Sequence, residues 1–237
     1  MKRTLTLIIG MGCLLLTGLL RANDEVPQKV RSSKTEHADL AAGGTLHLKN
    51  STGEVTVEGW DQPGVEITTI KSTKLSYTTA APERVKAAHD LENVKVTVAK
   101  QGDELVVTTE YPRDRRYLPR PSVGYRDFNL EYQIKVPRDA KIIVDHDEGE
   151  VHFDDLTGDI SATTNQGLIT LRLAATAQYS IDAKTRIGDV DSDIAGTTTR
   201  KHFGHEFMQT AQAPRKLYLR NGYGDIIILR LRKPSGL

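Results

Sequence analysis

Cysteine is almost absent from this sequence. The single cysteine, Cys13, lies inside an apolar stretch close to the N-terminus. If that stretch is removed, the remaining chain has no cysteine at all. It can then form no disulfide, and it offers neither a thiol nucleophile nor a thiolate metal site.

The apolar stretch runs from Leu5 to Leu20, follows Lys2 and Arg3, and precedes the small residue Ala22. A short positive segment, an apolar segment and a small residue before a polar start are typical of a secretory signal peptide. Three glycines interrupt the stretch, which is short for a membrane anchor of about 18–20 apolar residues. We therefore expect residues 1–22 to be a signal peptide that is cleaved near Ala22.

A lipid anchor on Cys13 is the less favoured alternative. A lipoprotein signal usually has an aliphatic residue three positions before the cysteine, which follows the apolar run. Here Gly10 holds that position, and the run continues beyond Cys13 to Leu20. We expect an exported protein, periplasmic or at the cell surface, that needs no membrane contact after cleavage.

Neither sign of charge dominates the chain, which has 32 Lys and Arg against 31 Asp and Glu. Residues 1–22 contain Lys2, Arg3 and Arg21 and no acid, so their removal leaves 29 basic against 31 acidic residues, a net charge of −2. A nucleic-acid-binding protein is expected to be clearly basic. We therefore predict no nucleic-acid partner.

Common catalytic motifs are also missing. The sequence has no Gly-x-Ser-x-Gly elbow, no His-Glu-x-x-His motif and no phosphate-binding glycine loop. We predict that the protein is not an enzyme and has no cofactor. The alternative is a carbohydrate-active β-helix enzyme, a polysaccharide lyase or hydrolase, because acids are abundant; the sequence cannot place two of them at the separation that glycosidases need.

Alternation of apolar and polar residues predicts that most of the chain is β-strand, with strands at 46–49, 54–58 and 129–136 and a hairpin over 94–108. Residues 81–91 break this pattern with a proline at the first helical position and good helix formers, which predicts one short helix. Residues 23–40 are polar and lack periodicity, so we expect a flexible lead-in.

One short phrase recurs along the chain: a turn that ends in glycine, an acidic or apolar residue, and then Val or Ile at the start of a strand. The spacing of 18–21 residues predicts an all-β fold, a single-stranded β-helix or β-solenoid in which each unit buries its apolar face against its neighbours. A β-sandwich with regular hairpins is the alternative. The copies begin at Gly53, Gly149, Gly158, Gly167, Gly188 and Gly224, with a weaker one at Gly204, and the residues expected to point inward are Val151, Phe153, Ile169, Leu171, Leu173, Ile181, Ala183, Leu217 and Leu219.

The run from Ile142 to Ile169, with its Gly149-Glu150-Val151 and Gly158-Asp159-Ile160 phrases, resembles the bacterial putative-adhesin family of unknown function, as does the lead-in from Tyr132 to Pro137. The resemblance covers roughly residues 40–232. It implies a β-solenoid with a repeated ladder and an envelope location, and it carries over no catalytic residue. We expect residues 41–237 to form an adhesin-like β-solenoid, a non-enzymatic surface or envelope protein that presents a repetitive β face.

Residues 111–127 form a long irregular loop, because their three prolines cannot donate to a sheet. Arginine and tyrosine interleave here, a combination that suits stacking and anion recognition. The alternative is a plain solvated loop, since two aspartates offset part of the charge. We predict that this loop binds an envelope glycan or another envelope protein through Arg113, Arg115, Arg116, Tyr117, Arg120, Tyr125 and Arg126.

Two polar clusters have features of metal sites. Asp145 and Asp147 fit the opening of a calcium loop, but Gly149 and Leu156 stand at its fifth and twelfth positions. The second cluster consists of His202 and His205, with Glu206 beside them, and the sequence cannot place the further ligand that a metal site needs. We predict a solvated corner and a surface loop, and no metal.

Overall fold

The computed structural model describes residues 26–111, 128–174, 178–209 and 213–231. In these ranges the chain is mostly β-strand with a single helix, and its strands form one sheet that does not close, so the all-β prediction is confirmed. The elements are β1 Gln28–Ala38, β2 Thr45–Trp60, β3 Val65–Tyr77, α1 Pro82–Glu92, β4 Lys95–Gln101, β5 Glu104–Glu110, β6 Phe128–Pro137, β7 Lys141–Asp154, β8 Ile160–Leu173, β9 Tyr179–Ile187, β10 Val190–Ser192, β11 Thr197–Lys201, β12 Gly204–Gln209, β13 Arg215–Tyr223 and β14 Ile226–Arg230.

The centre of the fold is a stack of parallel strands in register. Strand β2 pairs with β7, and β7 pairs with β8 along its whole length, from Ile142 opposite Ile160 to Asp154 opposite Arg172. Strands β13 and β14 pair with the two halves of β8, and β9 and β10 pair with β13 and β14. We call these five stacked units rungs: β2, β7, β8, β13–β14 and β9–β10.

A glycine divides every rung into a first arm and a second arm. The five glycines have φ angles from +96° to +138°, a region that side chains with a Cβ rarely adopt. Each of the last four also lies so close to the preceding glycine of the stack that a Cβ would meet the carbonyl group of that neighbour. The corner glycines, in stacking order, are Gly53, Gly149, Gly167, Gly224 and Gly188.

The space between the two arms holds the apolar core. Residues alternate along each arm, so every second side chain points inward and is buried. All nine residues that the sequence analysis expected to point inward are buried, each with at most 3% of its surface exposed. Stacking the rungs therefore buries the apolar face of each against its neighbours.

Antiparallel strands cover both ends of the stack. At one end, β5 and β4 extend the first arm of β2, and β6, β3 and β1 extend its second arm. Helix α1 packs beside β3 and β1. The Nζ group of Lys71 donates hydrogen bonds to the carbonyl oxygens of Leu91 (3.1 Å) and Val94 (2.9 Å) at the end of this helix. At the other end, β12 and β11 extend the first arm of β9.

Two expectations from the sequence are wrong. The flexible lead-in contains β1, an edge strand antiparallel to β3; most of its side chains are exposed, so it has no apolar alternation to reveal it. The weak repeat copy at Gly204 is not a rung. Its strand, β12, runs antiparallel to β9 and forms a hairpin with β11.

Candidate binding face

The seven arginines and tyrosines that the sequence analysis assigned to binding belong to residues 113–126, outside the residues that the structure describes. Their role therefore stays a prediction. The two clusters considered as metal sites are described: one surrounds the corner glycine Gly149, and the other lies at the hairpin of β11 and β12.

The acidic stretch around Gly149 lies on the extended rung β7. Its outward carboxylates pair with different neighbours: Asp145 with His47 (Oδ2 to Nε2, 2.9 Å), and Asp154 with Arg172 (Oδ1 to Nε, 2.6 Å). Because the strand is extended, these side chains are spread along it and do not converge as in a calcium loop.

The second cluster lies at the hairpin of β11 and β12. His202 is exposed in the turn with a φ of +54°, whereas Nδ1 of His205 lies 2.7 Å from Oδ1 of Asp189 at the neighbouring corner. Within the described ranges, no group of three or more His, Cys, Asp or Glu is arranged to hold a metal ion.

Arginine and tyrosine come together instead on the outer side of β9 and β13. The two strands are parallel and in register, with Tyr218 opposite Asp182 and Arg220 opposite Lys184. The outward residues of both strands alternate with buried ones as far as Arg186 and Arg220, so they share one surface. Tyr223 lies outside this alternation, opposite Ile187 and next to the corner, and borders the surface through its contact with Arg186. We call this surface the Arg/Tyr face and define it as Asp182, Lys184, Arg186, Lys216, Tyr218, Arg220 and Tyr223.

Arg220 is held firmly in this face. Its guanidinium carbon lies 3.9 Å from the centre of the Tyr218 ring. Nη2 donates to Oδ2 of Asp182 (2.6 Å), and Nη1 donates to the carbonyl oxygens of Asp182 (3.0 Å) and Leu219 (2.9 Å). Burial alone would lower the pKa of Arg220, but the hydrogen bond and charge of Asp182, with Tyr218, raise it above its ordinary value. The stacked ring is thus supported by a fixed, charged plane.

A second pair stands near the corner of the same two rungs, where the guanidinium of Arg186 lies 4.6 Å from the ring centre of Tyr223. Tyr218 is 45% exposed and Tyr223 is 47% exposed, so both rings are open to solvent. In the described part of the chain, no carboxylate lies within 4.0 Å of Lys184 or Arg186. With four basic residues and one acid, the face carries a net charge of +3.

This face was not predicted from the sequence, although the outward direction of some of its residues could have been. Once Leu217 and Leu219 are predicted to point inward, Tyr218 and Arg220 must point outward on one strand. The partner strand was not predictable, because Asp182 precedes Tyr218 by 36 residues and nothing in the sequence pairs them.

A row of glutamates crosses the second arms, with Glu54 paired to Glu131 on one side and to Glu150 on the other. Neighbouring strands lie about 4.8 Å apart, close to the carboxylate separation of about 5 Å in retaining glycosidases. A general acid in such enzymes is kept protonated by burial, whereas Glu54 and Glu150 are exposed. The row is a line of neighbouring acidic residues, two of them exposed, on the surface of the stack.

Inside the stack, each rung places one buried polar residue just before its corner glycine. In stacking order these residues are Ser51, His146, Thr164, Asn221 and Thr185. Some of them bind corner carbonyls: Nδ2 of Asn221 donates to Gly167 (2.8 Å), and Oγ1 of Thr185 donates to Gly224 (2.8 Å). The side chains of this buried polar column therefore provide hydrogen bonds to backbone groups that, because of the bend, do not pair with a neighbouring strand.

His146 is the one titratable member of this column. Its Nδ1 forms a 2.8 Å hydrogen bond with Oγ of Ser51, and only 4% of the residue is exposed. Burial lowers the pKa of His146 to about 4, although backbone groups of Glu148 and Gly53 favour the charged ring. The side chain is therefore neutral at pH 7 and has a structural position in the core.

No family model and no curated protein matches this sequence. Among solved structures, a putative cell adhesion protein from Clostridium sporogenes aligns over 84% of this chain and 100% of its own at 12% identity, with a TM-score of 0.48. A putative adhesin from Bacteroides fragilis (9% identity, TM-score 0.24) and a putative lipid binding protein from Parabacteroides distasonis (8%, 0.20) each align over 84% of this chain and 97% of their own. None of the helices in the described residues has the length and apolar character to cross a membrane.

Proposed function

We propose that the protein is an exported, non-enzymatic envelope or surface protein whose β-solenoid presents a repetitive β face for adhesion or scaffolding. The observation that carries this proposal is the in-register stack of five rungs. In-register pairing places equivalent outward positions about 4.8 Å apart, so a ligand with a regular structure can meet several rungs at once.

The path between rungs β7 and β8 supports a solenoid. Strand β7 ends at Asp154, and six residues later Ile160 pairs with Ile142 at the beginning of β7. The chain therefore returns to the start of its own rung through a short turn and repeats after 18 residues. Such a path favours a coil, because a sandwich would need antiparallel neighbours at this point.

The solenoid can be tested by duplicating residues 142–159, which make one whole rung. We expect the longer protein to fold with an unfolding midpoint close to that of the parent, because the new rung can stack in register on both sides. The matched control duplicates residues 142–150, half a rung, which disrupts the stack and should give insoluble protein. Loss of folding in both variants would contradict the solenoid.

Export is proposed from residues 1–22, whose charge and apolar pattern are those of a signal peptide. Expression of the full chain in a bacterium, followed by fractionation and mass measurement, tests it. We expect an envelope or secreted product that begins near Asn23. An uncleaved protein in the cytoplasm would contradict export.

Binding is tested with protein purified from that fraction and exposed to peptidoglycan, outer-membrane vesicles and capsular glycan. We expect retention on one of them. The prediction for the 111–127 loop is that the double variant Arg115→Ala/Arg116→Ala weakens retention. Release of soluble sugar from any fraction would favour the carbohydrate-active alternative, and absence of retention on all three would contradict the adhesin proposal.

A further inference from the structure

We propose that the Arg/Tyr face binds an acidic polysaccharide, which lies along strands β9 and β13. The inference rests on the proposed function for the source of the polymer, since an exported protein meets envelope glycans. It assigns binding to described residues that are separate from the 111–127 loop.

Both tyrosine rings of the face are held by an arginine and are open to solvent. Each has an arginine against one side, with Arg220 at 3.9 Å from Tyr218 and Arg186 at 4.6 Å from Tyr223, and each is nearly half exposed. A ring that an arginine already holds loses little side-chain entropy when a ligand stacks on its exposed part. The apolar face of a sugar ring is a suitable partner for such a flat aromatic surface.

The positive charge of the face favours an acidic ligand. Arg220 is already paired with Asp182, but Lys184 and Arg186 have no carboxylate partner in the described residues. They lie on the same strand, two residues apart and on the same side, between the levels of Tyr218 and Tyr223. Glu206 of β12 stands opposite Lys184 but pairs with Lys201. A ligand that stacks on the rings therefore meets two cations that no described carboxylate within 4.0 Å neutralises, and it should carry carboxylate groups.

The surface next to the face is formed by small side chains. Strand β8 runs beside β13, and its outward residues are short and polar: Ser161 is opposite Tyr218, and Thr163 is opposite Arg220. At the next level β13 has Gly222, where a Cβ would meet the carbonyl oxygen of Asn165 in β8. Tyr218 thus stands above a low surface, and Tyr223 lies five residues, or about 16 Å, further along the strand at the corner, a separation that spans several sugar units of a linear polymer.

Single-stranded nucleic acid also combines flat rings with negative charge and is the main competitor. The face holds only three net positive charges, and the chain without residues 1–22 is slightly acidic. An acidic peptide would satisfy the cations but offers no regular row of ring faces. These observations favour the polysaccharide.

The experiment uses the exported protein purified after expression of the full chain. Calorimetry would measure binding to polygalacturonate, with dextran, polyglutamate and oligothymidylate as comparisons. We expect polygalacturonate to bind most tightly, because it alone combines sugar rings with carboxylates. Equal or tighter binding to any of the other three polymers, or no binding to polygalacturonate, overturns the inference.

Two double variants locate the site. Tyr218→Ser/Tyr223→Ser should weaken binding of polygalacturonate by about tenfold, which corresponds to 1.4 kcal/mol. Lys184→Gln/Arg186→Gln should weaken it by a similar factor and reduce its dependence on salt. The controls are Tyr77→Ser and Lys135→Gln, which remove a tyrosine and a cation far from the face and should leave binding unchanged.

The second double variant keeps the test decisive if loss of the tyrosines affects folding, because the side chains of Lys184 and Arg186 are exposed. Unchanged binding in folded Lys184→Gln/Arg186→Gln protein refutes the site. If envelope fractions still retain the protein while polygalacturonate does not bind, this inference fails and the proposed function stands. If no fraction retains it, the proposed function fails as well.

Discussion

His146 should make the fold sensitive to acid. In an unfolded chain its pKa is near 6.5, whereas burial lowers it to about 4 in the fold. Between these values the unfolded state binds more protons, so stability is complete above pH 6.5 and falls as the pH drops towards 4. The difference of about 2.5 pH units, at 1.36 kcal/mol each, gives about 3 kcal/mol in full and about 2 kcal/mol at pH 5.

The variant His146→Thr isolates this contribution, because threonine occupies the equivalent position in rung β8, as Thr164, and in rung β9–β10, as Thr185. Removing the ring lowers stability at pH 7.5 through the cavity it leaves. The substitution also removes the titrating group. The decrease in unfolding free energy from pH 7.5 to pH 5 should therefore be about 2 kcal/mol smaller in the variant than in the parent.

Urea unfolding at pH 7.5 and pH 5 measures the unfolding free energy of the parent and the variant. The slope of that free energy against urea concentration should be the same in both, which would confirm that unfolding exposes the same surface. The control His37→Thr removes an exposed histidine from edge strand β1 and should keep the pH response of the parent. Equal losses between pH 7.5 and pH 5 in the parent and in His146→Thr would show that burial of this ring does not govern its protonation.

Three further predictions concern the ends and corners of the stack. Gly167→Ala should cost about 4 kcal/mol or more in unfolding free energy, because its Cβ would meet the carbonyl of the preceding rung, whereas Gly102→Ala, in a turn with open space, should cost about 1–2 kcal/mol; similar urea midpoints would contradict the close approach. Lys71→Met removes the donor to the carbonyls that end α1, so hydrogen exchange should accelerate over residues 82–94, and unchanged protection would show that the contact is dispensable. Deletion of residues 213–237 removes rung β13–β14 and should abolish cooperative unfolding; a native-like circular dichroism spectrum and melting curve would be the contrary result.

The sequence predicted the parts of the fold that follow from local periodicity. The corner glycines were found because the glycine phrase recurs, and Gly149 and Gly167, which are 18 residues apart, are in register as a repeat of that length requires. Helix α1 was predicted over residues 81–91 and spans Pro82–Glu92, because proline and helix formers leave one reading there.

The predictions that failed are those that depend on which distant strands pair with each other. The copy at Gly204 has the right spacing and the wrong strand direction, and spacing alone carries no information about direction. The weak copy at Gly204 predicted a further rung between Gly188 and Gly224. Instead, the chain leaves the stack, forms the β11–β12 hairpin and returns to a place earlier in the stack.

The candidate site was harder to predict than the fold for the same reason. Tyr218 and Arg220 are visible as outward residues of one strand, but their fixed geometry depends on Asp182 of another rung. The buried polar column is similar: each member precedes a glycine by two or three residues, yet the pattern becomes clear only when the rungs are stacked.

The position of rung β13–β14 has a consequence for how the chain acquires its fold. Strands β13 and β14 follow β9 and β10 in the chain but lie between β8 and β9–β10 in the stack. While the chain emerges from its N-terminus, β2, β7 and β8 can assemble in order, but β9 then meets a β8 edge that belongs to another strand. Premature pairing of β9 with β8 would create a kinetic trap that the C-terminal segment must displace. The rate-limiting event in folding is therefore expected to be the entry of residues 215–230 into the stack.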